Sequence, residues 1–274
     1  MMFGLFGNNK LLDDESILWM FDTYAWALKN FGSDVFYNET KLVLPTSEHF
    51  PGRENSVHSM AGLIFEQVKE HASLKHWPCR LEDESTCNVT VLPKLQVDGA
   101  IRGSKGVISN SVDDANKLLI TYNSALVRQP EALIANYAHI LAHYMGANAE
   151  ERPPGGEENW PHITEVLAVF MGFGVMFANS ALNLKINSCG SCQGPMADRN
   201  NFLSQYDITY ALAIFSVLKN IPDKQVTRHL KSSLRGFYKK SVKDIKSRKE
   251  EVERLRIINS SIALIESTRE SHVG

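Results

Sequence analysis

The chain has 274 residues, of which 43% are hydrophobic and 22% are charged, and its formal net charge is -2. These values are ordinary for a soluble globular protein with a sizeable core, built as one large domain or two small ones. The nearly neutral charge argues against a general polyanion binder or a membrane-surface protein, so an electrostatic partner must be recognised by a local patch. Four cysteines in so long a chain do not indicate a disulfide framework, and we expect a cytoplasmic protein.

The chain start has neither a basic segment nor a long apolar run, which argues against a secretory signal. The most apolar window, residues 163–182, has the length of a membrane span but contains Glu165 and two glycines. It is typical of a buried core helix, with a transmembrane helix as the alternative.

The first half of the chain mixes helical and strand patterns. Acidic residues before recurring apolar positions predict a helix at 14–30, and helical periodicity predicts another at 56–74. Short β-branched or apolar runs predict strands at 40–44, 89–92, 106–109 and 118–122.

The second half is predicted to be entirely helical, with Gly146 as the cap of the first helix. The predicted helices span 130–145, 163–182, 204–219 and 223 to about 266. The fold class is therefore α+β. We expect a small mixed sheet and a first long helix within residues 1–146, followed by a helical half, 147–274, with a long basic C-terminal helix.

The helix predicted at 130–145 contains a pair of histidines with metal-ligand spacing. His139 and His143 are four residues apart, so they lie on one helix face about one turn from each other, as two imidazoles that share a metal must. Core or surface histidines without a ligand also occur at this spacing. The pair alone is therefore a weak signal.

Glu165 strengthens the metal interpretation. It is the only ionisable side chain in residues 163–178, and a buried carboxylate is costly unless it is paired with a cation or bound to a metal. Two helical histidines and a later carboxylate form a known three-ligand zinc arrangement. Two alternatives stay open: Glu165 lies at the start of its helix and is stabilised by the helix dipole and water, or His162 takes its place as a ligand.

The segment 118–146, a strand, a turn and a His-x-x-x-His helix, resembles the active-site half of the zincin metallopeptidases, whose signature is His-Glu-x-x-His. Almost the whole chain is similar to a family of uncharacterised bacterial proteins with that architecture. The resemblance lies in blocks that keep their order: 21–32 (FDTYAWALKNFG), 42–53 (LVLPTSEHFPGR), 76–78 (HWP), 132–144 (ALIANYAHILAHY), 163–180 (ITEVLAVFMGFGVMFANS) and 203–215 (LSQYDITYALAIF).

The resemblance implies a zincin-like fold in which His139 and His143 bind zinc and Glu165 occupies the position where the family usually has an aspartate. It also implies that Ile140 stands in place of the catalytic glutamate, which takes a proton from the zinc-bound water and passes it to the leaving amine. Isoleucine can do neither. Since such a base is worth roughly 10²–10⁴-fold in rate, we expect an impaired enzyme and assign no catalytic residue.

Three functions follow, in order of preference. The first is a catalytically impaired protein that keeps its metal site and binds a peptide or protein, by addition of an extended segment beside the strand at 118–122. The second is an active zinc hydrolase with an unconventional base, and the third is a basic helical interaction module on a zincin scaffold. The candidates for an unconventional base are Glu157, Glu158 and His162.

Cys189 and Cys192 form a Cys-x-x-Cys sequence between two predicted helices, without the strand and helix context of a redox site. We expect an ordinary loop there, with a disulfide or a peripheral metal site as alternatives.

The last predicted helix is strongly basic, with twelve Lys and Arg against four Asp and Glu between Lys224 and Arg256. Aromatic residues are sparse in this segment and no recognition motif accompanies the charge, so we expect neither nucleic-acid nor membrane binding. An apolar stripe accompanies the charge and suits packing on the core or on a second copy of the chain, which would make a homo-oligomer. The stripe consists of Leu230, Leu234, Phe237, Ile245, Val252 and Leu255.

Overall fold

A computed structural model describes residues 11–87, 94–107, 113–180 and 202–258. The helices are α1 (Asp14–Asn30), α2 (Val57–His71), α3 (Pro130–Ala147), α4 (Trp160–Ala168), α5 (Gly174–Ser180), α6 (Gln205–Leu218), α7 (Asp223–Thr227) and α8 (Ser232–Ser247). Residues 249–258 are also helical. Single turns of π-helix or 3-10 helix lie at Val35–Glu39, Asp114–Asn116, Ser124–Arg128, Glu157–Asn159 and Val169–Phe173.

The four described strands form two small sheets, which makes the protein α+β as the sequence predicts. Strand β1 (Cys79–Asp83) is parallel to β4 (Leu118–Tyr122), with Cys79 opposite Leu118 and Asp83 opposite Tyr122. The two-residue strands β2 (Asp98–Gly99) and β3 (Gly106–Val107) pair antiparallel. The prediction of β4 is confirmed, whereas the sequence CRLED of β1 did not predict a strand.

The other predicted strands are not confirmed in full. Residues 40–44 are largely buried and have no regular secondary structure, and within the described residues they pair with no strand. The Val43 N–H instead donates to the Gly172 carbonyl at 3.0 Å, so this prediction was wrong because the segment packs along a helix. Of residues 106–109 only Gly106–Val107 are described, and residues 89–92 lie outside the described part.

Local capping explains the helices that were predicted well. The Asp13 side chain accepts from the Ser16 N–H at 2.8 Å at the start of α1. At the start of α6, Ser204 and Asp207 each accept from the other's backbone N–H, a capping box. Because these bonds join residues three apart, the sequence identifies them directly.

Gly146 does not cap α3, contrary to the prediction, because the helix continues to Ala147. Its role is a close helix contact. A Cβ atom at Gly146 would lie 2.7 Å from the Trp160 ring and 2.9 Å from Leu167 Cδ1, so only glycine lets α4 approach α3 this closely.

Residues 163–180 of the predicted apolar helix are largely buried in the core, and the helix is interrupted, not continuous. Gly172 has a φ of 103° and separates α4 from α5 within the π-helical turn Val169–Phe173. By length and composition the stretch Glu157–Ser180 is long enough to cross a membrane, but its most apolar window is entirely buried, as in the core helix of a soluble protein. Residues 181 and 182 lie outside the described part.

The described part of the helix predicted from 223 to about 266 is divided into α7, α8 and the helical residues 249–258, and residues 259–266 lie outside the described part. Its apolar stripe packs on the core of the same chain, mainly against α6. The core cluster runs from Ile17 to Leu255, so both predicted halves, 1–146 and 147–274, contribute to one hydrophobic core.

Gly172 gives the first testable prediction. A Cβ atom there would collide with the Lys41 carbonyl oxygen, and the positive φ is strained for any other residue. We expect Gly172→Ala to lower the free energy of unfolding by about 3 kcal/mol or more. Gly236, inside exposed α8 with open space around it, is the matched control, and Gly236→Ala should raise stability by about 1 kcal/mol. Urea unfolding followed by circular dichroism measures both, and equal effects would contradict the interpretation.

Candidate functional site

The two histidines of α3 are half-buried, and His143 is held by a tryptophan. The Trp160 Nε1–H donates to His143 Nδ1 at 3.0 Å, and the two rings are 5.8 Å apart in an edge-to-face arrangement. A neutral imidazole that accepts at Nδ1 carries its proton on Nε2. Burial lowers the pKa of His143, which favours this neutral form. In this arrangement neither ring nitrogen of His143 offers a lone pair to a metal.

Glu165 is fully buried and also has a protein partner. One of its carboxylate oxygens accepts from the Leu203 N–H at 2.8 Å, just before α6 begins. A helix N-terminus favours negative charge, so α6 helps to stabilise the carboxylate. The sequence left open that Glu165 is stabilised by the dipole at the start of its own helix. Glu165 lies in the second turn of that helix, so the nearby helix start is the one of α6.

These contacts bear on whether zinc fits. Within the described ranges, no group of three His, Cys, Asp or Glu side chains is placed to hold a metal ion, and Cys189 and Cys192 lie outside those ranges. His143 Nδ1 accepts from Trp160, whereas only one of the two Glu165 carboxylate oxygens accepts from Leu203. His143 therefore does not fit zinc while Trp160 donates to it, and the site of His139, His143 and Glu165 stays a prediction.

The residue at the expected general-base position lies in the core. Ile140 is 5% exposed on the buried side of α3. Among the proposed substitutes, His162 stands edge-on between Trp19 and Phe202, with ring centroids 6.5 and 5.8 Å away. Glu157 and Glu158 are both exposed, and Glu157 lines a cleft.

That cleft, of about 450 Å³, opens at the C-terminal end of α3 beside Trp160. Its lining has an apolar floor and three carboxylates against one guanidinium. The lining residues are Gly146, Ala147, Ala149, Glu150, Glu151, Arg152, Pro153, Glu157 and Trp160. None of these described residues belongs to β4, so the cleft is not the strand-edge groove that the sequence suggested.

The loop that carries the carboxylates is fastened to α1. The Trp26 indole N–H donates to the Glu151 carbonyl at 2.9 Å, and Trp19 donates to the Pro154 carbonyl at 3.1 Å. The Asn30 side-chain oxygen accepts from the N–H groups of Glu150 and Glu151 at 3.0 and 3.1 Å. The cleft is therefore preformed, which lowers the ordering cost of binding.

Sequence reasoning did not identify this cleft. A signal was present, since Trp19 and Trp26 are one heptad apart on α1 and the segment 150–159, EERPPGGEEN, is rich in carboxylates. The contacts between these two segments join residues more than a hundred positions apart. Only the fold reveals that they belong to one site.

Comparison of the chain with protein-family models, with curated proteins and with solved structures finds no match. The zincin resemblance therefore rests on the residues alone.

The buried histidines give a prediction about pH. Burial lowers the pKa of His49, His76 and His143 below the ordinary value of 6.5, so the unfolded chain binds protons more readily than the folded one. Above pH 6.5 these histidines are neutral in both states and do not reduce the free energy of unfolding. As the pH falls below 6.5, they take up protons more readily in the unfolded chain, and the free energy of unfolding decreases. We expect a lower urea midpoint at about pH 5.5 than at about pH 7.5. The amide oxygen of His143→Gln can still accept from Trp160, so this variant should show a smaller difference between the two urea midpoints. A urea midpoint that rises on acidification would contradict the lowered histidine pKa values.

The Trp160 contact gives a prediction about zinc. Trp160→Phe keeps an aromatic ring but removes the N–H donor, which releases the His143 Nδ1 lone pair. Because one hydrogen bond is worth roughly 1 kcal/mol, we expect the variant to bind zinc about fivefold more tightly than the natural chain in calorimetric titration. The double variant Trp160→Phe/His143→Gln is the control. A gain that persists in it would show that zinc binds elsewhere.

Proposed function

We propose that this chain is a zincin-like protein without peptidase activity, which acts by binding a peptide segment with basic side chains. The observation that carries the proposal is the preformed acidic cleft at the end of α3, together with the buried Ile140 at the expected position of the base. An apolar side chain in the core cannot move a proton to or from a bound water. Binding is the use that the remaining features support.

The chemistry of the cleft favours a cationic ligand. The lining contains three carboxylates, those of Glu150, Glu151 and Glu157, and one cation, Arg152. The half-buried indole of Trp160 forms part of the wall. The methylene stem of a lysine or arginine can pack on an indole while its charge reaches a carboxylate, and an aromatic face itself attracts a cation. A basic residue of an extended peptide is therefore the best-suited occupant.

The fastened loop supports recognition by a fixed surface. Two indole N–H bonds and the Asn30 bonds hold the loop backbone, so the carboxylates are presented without prior folding. Metal binding by His139, His143 and Glu165 stays a separate part of the proposal, because it requires Trp160 to release His143.

Binding of basic peptides tests the proposal. We expect an unstructured lysine-rich peptide to bind, and a glutamate-rich peptide of equal length not to bind, in calorimetric titration. Glu150→Gln/Glu157→Gln should weaken binding of the lysine peptide about fivefold, since exposed charge pairs are worth about 0.5 kcal/mol each, or about 1 kcal/mol for the two. Glu48→Gln/Glu54→Gln removes the same charge from exposed positions outside the cleft and should have no effect.

The same samples test the absence of catalysis. The lysine peptide should be recovered intact after incubation with added zinc. Cleavage that disappears in His143→Ala would favour the active hydrolase, with Glu157 as the first candidate for its base. Equal binding of both peptides, or equal losses in the two double variants, would refute the cleft as the binding site.

A further inference from the structure

The solvent-facing side of α8 carries a continuous positive surface. Its exposed cations are Arg235, Lys239, Lys240, Lys243 and Lys246, and the other exposed residues of α8 are serine or glycine. At 1.5 Å per residue, the cations from Arg235 to Lys246 extend along about 16 Å of helix. Because α8 is described throughout, this face is known to contain neither an acidic nor a large apolar exposed side chain. We call these five residues the α8 cationic face.

The α8 cationic face is not neutralised by the protein itself. Within the described part of the chain, none of its five cations forms an ion pair. Two neighbouring arginines behave differently: Arg248 lies 2.9 Å from both Asp14 and Asp244, and Arg254 lies 2.7 Å from Asp22. The fold therefore uses those arginines for ion pairs within the chain. In the α8 cationic face, the Arg235 Nε–H donates to the Leu230 carbonyl at 2.9 Å, which leaves its positive charge uncompensated.

An aromatic side chain from another helix lies beside this face. Tyr206 of α6 is 43% exposed, and its ring centroid is 4.9 Å from that of Phe237. Lys240 follows Phe237 by one helical turn on the same side of α8. We expected no nucleic-acid binding because aromatic residues are sparse in the basic segment. The fold supplies an aromatic ring from a different segment, at Tyr206.

We propose that the α8 cationic face and Tyr206 form a binding surface for single-stranded nucleic acid. Sequence-independent single-strand binders combine cations that follow the phosphates with aromatic rings on which bases stack, and this surface provides both. A membrane surface is disfavoured as the partner, because the apolar side of α8 is buried and its exposed side has nothing apolar to insert.

Fluorescence anisotropy of the full chain with labelled oligo-dT and oligo-U of about 20 nucleotides tests the proposal. With about five phosphate contacts to a single strand, affinity should fall about 100-fold between about 50 and 200 mM salt. Lys239→Gln/Lys243→Gln/Lys246→Gln should weaken binding at least tenfold at low salt and reduce the salt slope by about two. Lys29→Gln/Lys41→Gln/Lys75→Gln has the same charge change at exposed positions elsewhere and should leave the affinity unchanged.

The aromatic contribution separates nucleic acid from other polyanions. Tyr206→Ala should weaken oligonucleotide binding about tenfold, whereas Tyr206→Phe, which keeps the ring, should not. Circular dichroism confirms that each variant is folded. Equal losses in the two lysine variants, or no loss in Tyr206→Ala, would overturn the proposal. Stronger binding to vesicles containing phosphatidylserine than to oligonucleotides would assign the surface to a membrane instead.

Discussion

The contact between Gly172 and the segment 40–44 is the constraint on which the arrangement of the core depends. The Gly172 carbonyl accepts from the Val43 N–H, and the missing side chain leaves room for the Lys41 carbonyl. This contact coincides with the break between α4 and α5, so one long apolar segment becomes two helices that both pack on α3. A straight helix through Gly172 would lose the bond to Val43 and leave a buried N–H without it.

Trp160 connects the candidate metal helix with the cleft. Its ring packs against Gly146, its N–H holds His143, and its edge lines the cavity. Any ligand that moves this indole also changes the hydrogen-bonding state of His143. The histidine pair and the cleft are therefore physically coupled, although they need not serve the same chemistry.

The net charge of -2 conceals two surfaces of opposite sign. The cleft has an excess of carboxylates, and α8 presents cations that have no ion-pair partner in the described part of the chain. Charges that the fold pairs internally, such as Arg248 with Asp14, contribute little to either surface. The distribution of charge, rather than its sum, decides which partners are attracted.

The sequence by itself determined the features that depend on neighbouring residues: α1 and α6 with their caps, β4, the burial of the apolar segment after Ile163, and the presence of Ile140 between the two histidines. Caps and periodicity act over three or four positions, so they can be read without the fold. The tertiary structure alone decided the rest. CRLED becomes a strand because β4 pairs with it, Glu165 meets the start of α6, Trp19 and Trp26 hold the loop of the cleft, and Tyr206 lies beside Phe237. These contacts join residues far apart in the chain, and their free energy depends on a packed core that no local pattern specifies.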